Sequence, residues 1–174
     1  GKSPNKHNKF FMKVQPLEDN IYEAIKTGEI PELRIKKKDL TVFEQFAELG
    51  VPMKEARKIK EIFKGNLLFD GTRGIVHIGE VIEMLLDMFE DVMKQGPVAR
   101  EPCTKVKVML TDMKLHEDAI HRGPAQMYPA VRDSVRGSFM TASPLILEPL
   151  QILQIEAPEK HMGDISKLIQ NKRG

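Results

Sequence analysis

Apolar and polar positions along this chain follow two periods, and the switches between them mark out its elements. The segment FFMKVQPL alternates, with Phe10, Met12 and Val14 on one side, and predicts a half-buried strand ended by Pro16. Asp19 or Asn20 is placed to cap a short helix over IYEAIKTG, with Gly28 as its stop. A second helix is predicted from Thr41 through Val42, Phe46 and Leu49, closed by Gly50. Pro52 then opens a third over MKEARKIKEIF, with Ala56, Ile59 and Ile62 or Phe63 inward and Gly65 at its end. NLLF reads as a short strand and DGTRG as a turn. Ile78 to Met93 carries the widest apolar stripe, Ile78, Ile82, Leu85, Leu86, Phe89 and Val92, and predicts a long helix stopped by Gly96-Pro97.

The second half continues the pattern. TKVKVMLTDMKL alternates, with Val106, Val108 and Leu110 on one face and Met109 and Met113 on the other. Met127, Val131 and Val135 recur at helical spacing, with Pro129 early in that helix. A last strand is predicted over about 145–156, interrupted by Pro149. Met162, Ile165, Leu168 and Ile169 then mark a short helix running out into Asn171-Lys172-Arg173-Gly174. Strands alternating with helices predict an α/β (α+β) fold, with helices packed mainly against one face of a sheet.

Composition narrows the class. The 174 residues are 41% hydrophobic and 30% charged, enough for a real core, and a net charge of +2 says little about partners. Charge distribution says more: Lys2, Lys6, Lys9 and Lys13 crowd the first thirteen residues with no acid among them. The single cysteine, Cys103, excludes an intrachain disulfide and suits a reducing compartment. No apolar run approaches the roughly 20 residues of a membrane span, and no signal peptide is expected. A start at Gly1 rather than Met is expected of an excised or processed piece.

The chemistry concentrates in HEDAIHRGPAQ, from His116 to Gln126, a polar loop held between a strand and a helix. His116, His121, Arg122 and Gly123 offer imidazole, a planar phosphate-binding fork and a pliable turn. A zinc site of the HExxH type is not expected. Its histidines sit at i and i+4, whereas these are at i and i+5, about 140° apart around a helix. Gly1-Lys2-Ser3 has the letters that end a nucleotide-binding loop but no preceding strand or glycine, so nucleotide binding is not expected there. Lys54, Arg57, Lys58, Lys60 and Lys64 read as a solvated basic face, and Met84, Met88 and Met93 as core filling.

LHEDAIHRGPAQ, GKSPNKHNKFFMK at the start and LILEPLQILQIEAPEKHMGDISKLIQNKRG at the end resemble, in this order, the C-terminal part of the translation elongation factor 2 family. DGTRGI and GPVAREP fit as well, and Pro124-Ala125 resembles archaeal members, since eukaryotic ones usually carry glycines there. The resemblance implies domain IV of that family over residues 1–143, a β-α-β sandwich with helices on a mixed sheet. Residues 144–174 would be the first strand and helix of the ferredoxin-like domain V. It implies that His121 is the acceptor of the diphthamide modification, installed by dedicated diphthamide-synthesis enzymes. It further implies that Lys6, His7, Asn8, Lys9, His116, Arg122 and Gly123 form an RNA-contacting tip for tRNA, mRNA and rRNA on the cytoplasmic ribosome.

On that reading the chain is no enzyme and holds no metal or cofactor. GTP and magnesium would belong to the G domain of a translational GTPase elsewhere in the parent protein. Two rival readings differ in class. A freestanding RNA-binding module would bind RNA without ribosomes. A small enzyme using His116 and His121 as acid and base would show a concave pocket around them. A lone β-α unit cannot bury its own apolar face, so the tail is expected to pack on the body of the fold or to pair with a second copy as a tail-mediated homodimer.

Overall fold

The computed structural model describes residues 1–172 and shows a mixed four-stranded sheet with helices on both faces. Its elements are β1 (Lys9–Pro16), α1 (Asp19–Thr27), α2 (Leu40–Glu48), α3 (Met53–Ala56), β2 (Ile59–Phe63), β3 (Asn66–Asp70), α4 (Ile78–Lys94), β4 (Val106–Lys114), α5 (Pro124–Thr141) and α6 (Met162–Asn171). Strand order is β1-β4-β3-β2. β4 runs parallel to β3, joined through α4 as a β-α-β unit, and antiparallel to β1; β2 pairs antiparallel with β3. The start of β1 and the ends of β3 and β4 therefore share one end of the sheet, and the loops there form the tip.

Two apolar clusters sandwich the sheet. On one face the stripe of α4 (Val81, Leu85, Phe89, Val92) and that of α5 (Met127, Val131, Val135) bury Phe10, Val106, Val108 and Leu110. On the other, α1 and α2 deliver Ile21, Ile25, Val42 and Phe46 onto Ile59, Leu67 and Phe69. Helices cover both faces, not mainly one as expected. The second layer covers the β3–β2 half and leaves most of the outer face of β1 and β4 open. Met113 also moves from its expected face. A register shift between Phe11 and Met12 inserts an extra residue, which turns Met113 back into the core beside Phe10.

The largest departure from the expected elements is the third helix. MKEARKIKEIF forms only the four-residue α3 and then becomes strand β2. The local pattern fits a helix and a strand about equally. The pairing offered by NLLF decides it, because Lys64 and Gly65 adopt φ of 47° and 70° and close a tight hairpin. Gly65 is thus a turn residue, not a helix stop. A Cβ there would also meet the ring of Tyr22 at 2.7 Å. Gly28, by contrast, ends α1 in the left-handed region as expected. In α5 it is Pro124 that takes the first turn, and Pro129 lies one turn further in.

Residues 145–156 form no strand. With no neighbouring strand to pair with, they run as irregular chain, and Leu147, Leu150 and Ile152 lie in solvent, Leu150 at 95% exposure. Of the two packings expected for the tail, the one against the body of the fold does not form. The tail's own apolar residues instead form a shallow groove, Leu153 and Ile155 against Met162, Ile165 and Ile169 of α6. The expected end of that helix at Arg173-Gly174 lies outside the described residues. Among the described residues no helix is long and apolar enough to cross a membrane.

Candidate nucleic-acid interface at the tip

The first ten residues fold back as a hairpin that continues the sheet. Gly1 and Phe10 exchange backbone hydrogen bonds, Lys2 pairs with Lys9, and Ser3 N–H donates to the Asn8 carbonyl. The turn is held from within. Ser3 Oγ donates to Asn5 Oδ1 at 2.6 Å, which also accepts the His7 N–H, and Ser3 Oγ accepts the Asn8 N–H. Lys6 at the apex has φ of 63° and is exposed, as is His7.

The loop after β4 docks on this hairpin. Asp118 caps a single 3-10 turn over Ala119–Arg122 by accepting the Ile120 N–H at 3.0 Å. His116 Nδ1 accepts the Asp118 N–H at 3.0 Å, so the neutral ring carries its proton on Nε2. The imidazoles of His7, His116 and His121 meet at the junction. Ring centroids are 4.8 Å apart for His7–His116, 4.6 Å for His7–His121 and 4.4 Å for His116–His121. His121 is half-buried among its neighbours rather than fully in water. Ile120 beside it stands 77% exposed at the apex.

Two residues expected to touch RNA act inside the scaffold instead. Asn8 is fully buried. Its Nδ2 donates to the His121 carbonyl at 2.8 Å and its Oδ1 accepts the His116 N–H at 3.0 Å, which pins the histidine loop at both ends. Arg122 is 5% exposed. Its Nη1 donates to the carbonyls of His116 and Glu117, while Nε and Nη2 close on Glu80 Oε2 of α4. The Arg122 fork therefore ties the loop to the first turn of α4 and is not offered to a phosphate. Hydrogen bonds from Arg122 and His77 hold the Glu80 carboxyl below the usual carboxylate range.

Gly123 has extended backbone, φ of −69°, and leads into α5 with open space where a Cβ would stand. Lys9 is half-buried in β1. Gln126, which sequence reading passed over, receives the Asn5 N–H at 2.9 Å. Gln126 and Glu80 carry no local signal of this role, because each acts on a partner distant in sequence. Ile120 could have been found as an apolar residue within an otherwise polar loop. Among the described residues no group of three His, Cys, Asp or Glu side chains is arranged to hold a metal ion. A shallow pocket near the tip is walled by Ile75, His77, Leu115 and Glu117, and neither His116 nor His121 lines it.

The geometry is that of a tip with Lys6 and His7 exposed and two half-buried imidazoles beside them, braced from behind by a buried amide and a buried guanidinium. A model of the family "Elongation factor G, domain IV" matches residues 28–143. Elongation factor 2 of Thermococcus onnurineus is 47% identical over 174 residues, covering all of this chain and 24% of that protein. The same factor from Thermococcus sibiricus is 46% identical over 174 residues, again covering all of this chain and 24% of its own length. That of Nanoarchaeum equitans is 45% identical over 178 residues, with the same coverage on both sides. The chain thus spans about a quarter of the length of the curated relatives it matches. With two-thirds of its residues inside the family match and its similarity to these archaeal factors end to end, the chain belongs to the elongation factor G domain IV family, in its elongation factor 2 branch.

Proposed function

We propose that this chain supplies the ribosome-entering tip of a GTP-dependent translocation factor, with His121 as its diphthamide acceptor. Residues 1–143 act as domain IV and residues 144–174 as the start of domain V, whose first strand would form only against the strands of the parent protein that pair with it. GTP and magnesium are handled elsewhere in the parent protein, in the cytoplasm where ribosomes work. Its own contribution is mechanical and electrostatic. The tip is carried to the decoding region, where Lys6, His7 and His121 meet tRNA, mRNA and rRNA, and cationic groups follow phosphates without reading sequence.

The observation that supports this most is the junction of the two loops. His121 sits beside His7 and His116, and its backbone is clamped by Asn8. A long cationic arm added to His121 would start from a fixed base rather than from a loose loop, next to the exposed Lys6.

The test is the mass of the His121 peptide in factor purified from its native archaeal cell. Diphthamide adds mass on His121 alone, and His121→Ala abolishes the addition while the fold persists. Modification surviving in the variant, or found on His116 instead, would contradict the assignment.

A further inference from the structure

One face of the sheet next to the tip has an arrangement that folding alone does not favour. Lys2 pairs with Lys9, and Lys9 pairs with Lys114, so three lysines stand side by side across three strands. Directly paired residues project from the same face, and like charges so placed repel. The next pair, Phe10 and Met113, points into the core, which sends the lysine row to the opposite face. Two residues along β1 the same face carries Phe11, its ring 45% exposed, and then Lys13. The helical layer of α1–α3 stops over β2 and β3 and leaves this area open. Among the described residues none of Lys2, Lys9, Lys13 and Lys114 has an ion-pair partner. The acid on this face, Asp112, accepts the adjacent Met113 N–H.

We propose that the bare outer face of β1 and β4 is an RNA-binding shelf continuous with the tip, taking an unpaired stretch of RNA. Phosphates follow the Lys2–Lys9–Lys114 row and Lys13, and one base stacks on Phe11. The proposal rests on the tip reading and extends it from the loops onto the sheet. Both of its ingredients suit single-stranded RNA: a cationic track for the backbone and an aromatic platform for a base. The lateral repulsion within the row is relieved when a polyanion lies across it. An exposed phenylalanine among lysines is accounted for by the same occupant.

Fluorescence anisotropy of the 174-residue chain with a labelled 12-nucleotide unpaired RNA tests this, with a fully paired RNA duplex as the comparison. The unpaired RNA binds more tightly, with an affinity that falls as salt rises. Lys13→Glu with Lys114→Glu weakens it at least about tenfold and lowers the salt slope by about 1.4, at roughly 0.7 per phosphate contact on a single strand. Phe11→Thr, which keeps strand propensity, weakens it at least about fivefold with the slope unchanged. Circular dichroism confirms that each variant is folded. If the shelf variants bind like wild type while Lys6→Glu weakens binding, the shelf is overturned and the tip reading stands. Equal binding of the duplex, an unaffected Phe11→Thr variant, or no binding of either RNA by the wild type would each overturn the shelf. The tip reading is judged separately, on ribosomes.

Discussion

The side-chain amide of Asn8 donates to the backbone carbonyl of His121 at 2.8 Å, across 113 positions of sequence. The same side chain accepts the His116 N–H, so one buried carboxamide sets the position of both loop histidines relative to the amino-terminal hairpin. Placement of His121 is thus a property of residue 8 as much as of its own loop.

Replacing that amide should be costly. Asn8→Ala leaves the His116 N–H and the His121 carbonyl without their partner inside the fold, a loss of about 2 kcal/mol. For a chain of this length that lowers Tm by about 4–8 °C. Thermal unfolding followed by circular dichroism measures it, and a change under about 1 °C would show that Asn8 does not hold the tip.

Arg122 is expected to behave as a structural cation. Arg122→Lys keeps the charge but loses the fork that reaches Glu80 and two carbonyls together, at a cost of about 2 kcal/mol, whereas Lys6→Ala costs almost nothing. The pH dependence has a defined sign. The Glu80 carboxyl is depressed in the fold, so its contribution is present above its unfolded value near 4.5 and is lost as pH falls through the lower folded value. Histidine-loop resonances in NMR should therefore broaden or shift on acidification below that point, and the variant should lack this step.

Much of this architecture was legible in the sequence, and the exceptions have specific causes. The stripe of α4 and the alternation of β1 and β4 are strong one-dimensional signals, and both elements form where their periods predict. KIKEIF defeats that reading because its apolar spacing suits either period, and only the hairpin with NLLF selects the strand. The predicted strand at 145–156 fails for the complementary reason: a strand needs a partner, and none lies beside it. At the tip, residue types pointed to the right segments. They could not separate Lys6 and His7, which face solvent, from Asn8 and Arg122, which face inward, because that division depends on contacts between loops far apart in sequence.

Glu61 provides a test far from the tip. It is 2% exposed on β2, one oxygen meeting Arg34 and the other without a hydrogen-bond partner. Burial and the neighbouring Glu90 raise its carboxyl to about 8, while hydrogen bonds from Lys94 and Arg34 outweigh burial at Glu90 and hold that carboxyl low. A protonated Glu61 binds its proton more tightly folded than unfolded, so stability falls as pH rises from about 4.5 towards 8. Glu61→Gln supplies a permanent donor and should flatten this part of the profile. Urea unfolding at pH 5 and pH 8 gives the comparison, and an unchanged pH slope in the variant would refute the protonated state.

The tail makes a separate prediction. Leu147, Leu150 and Ile152 lie in solvent, so deleting residues 144–174 should leave Tm within about 1 °C. The intact chain should self-associate through this apolar segment in sedimentation velocity, and the shortened chain should stay monomeric. A monomeric intact chain at high concentration would exclude pairing through the tail.

On this reading the histidine tip meets ribosomal RNA or tRNA. Photocrosslinking from a benzoylphenylalanine placed at Ile120, in the full-length factor bound to ribosomes, tests it most directly. Position 120 is exposed at the apex, and Val98, in the segment after α4, serves as the comparison site. Crosslinks to tRNA or to decoding-region RNA of the small subunit from position 120, and none from position 98, are the predicted result. Equal RNA crosslinking from both positions, or crosslinks from position 120 to protein alone, would contradict it.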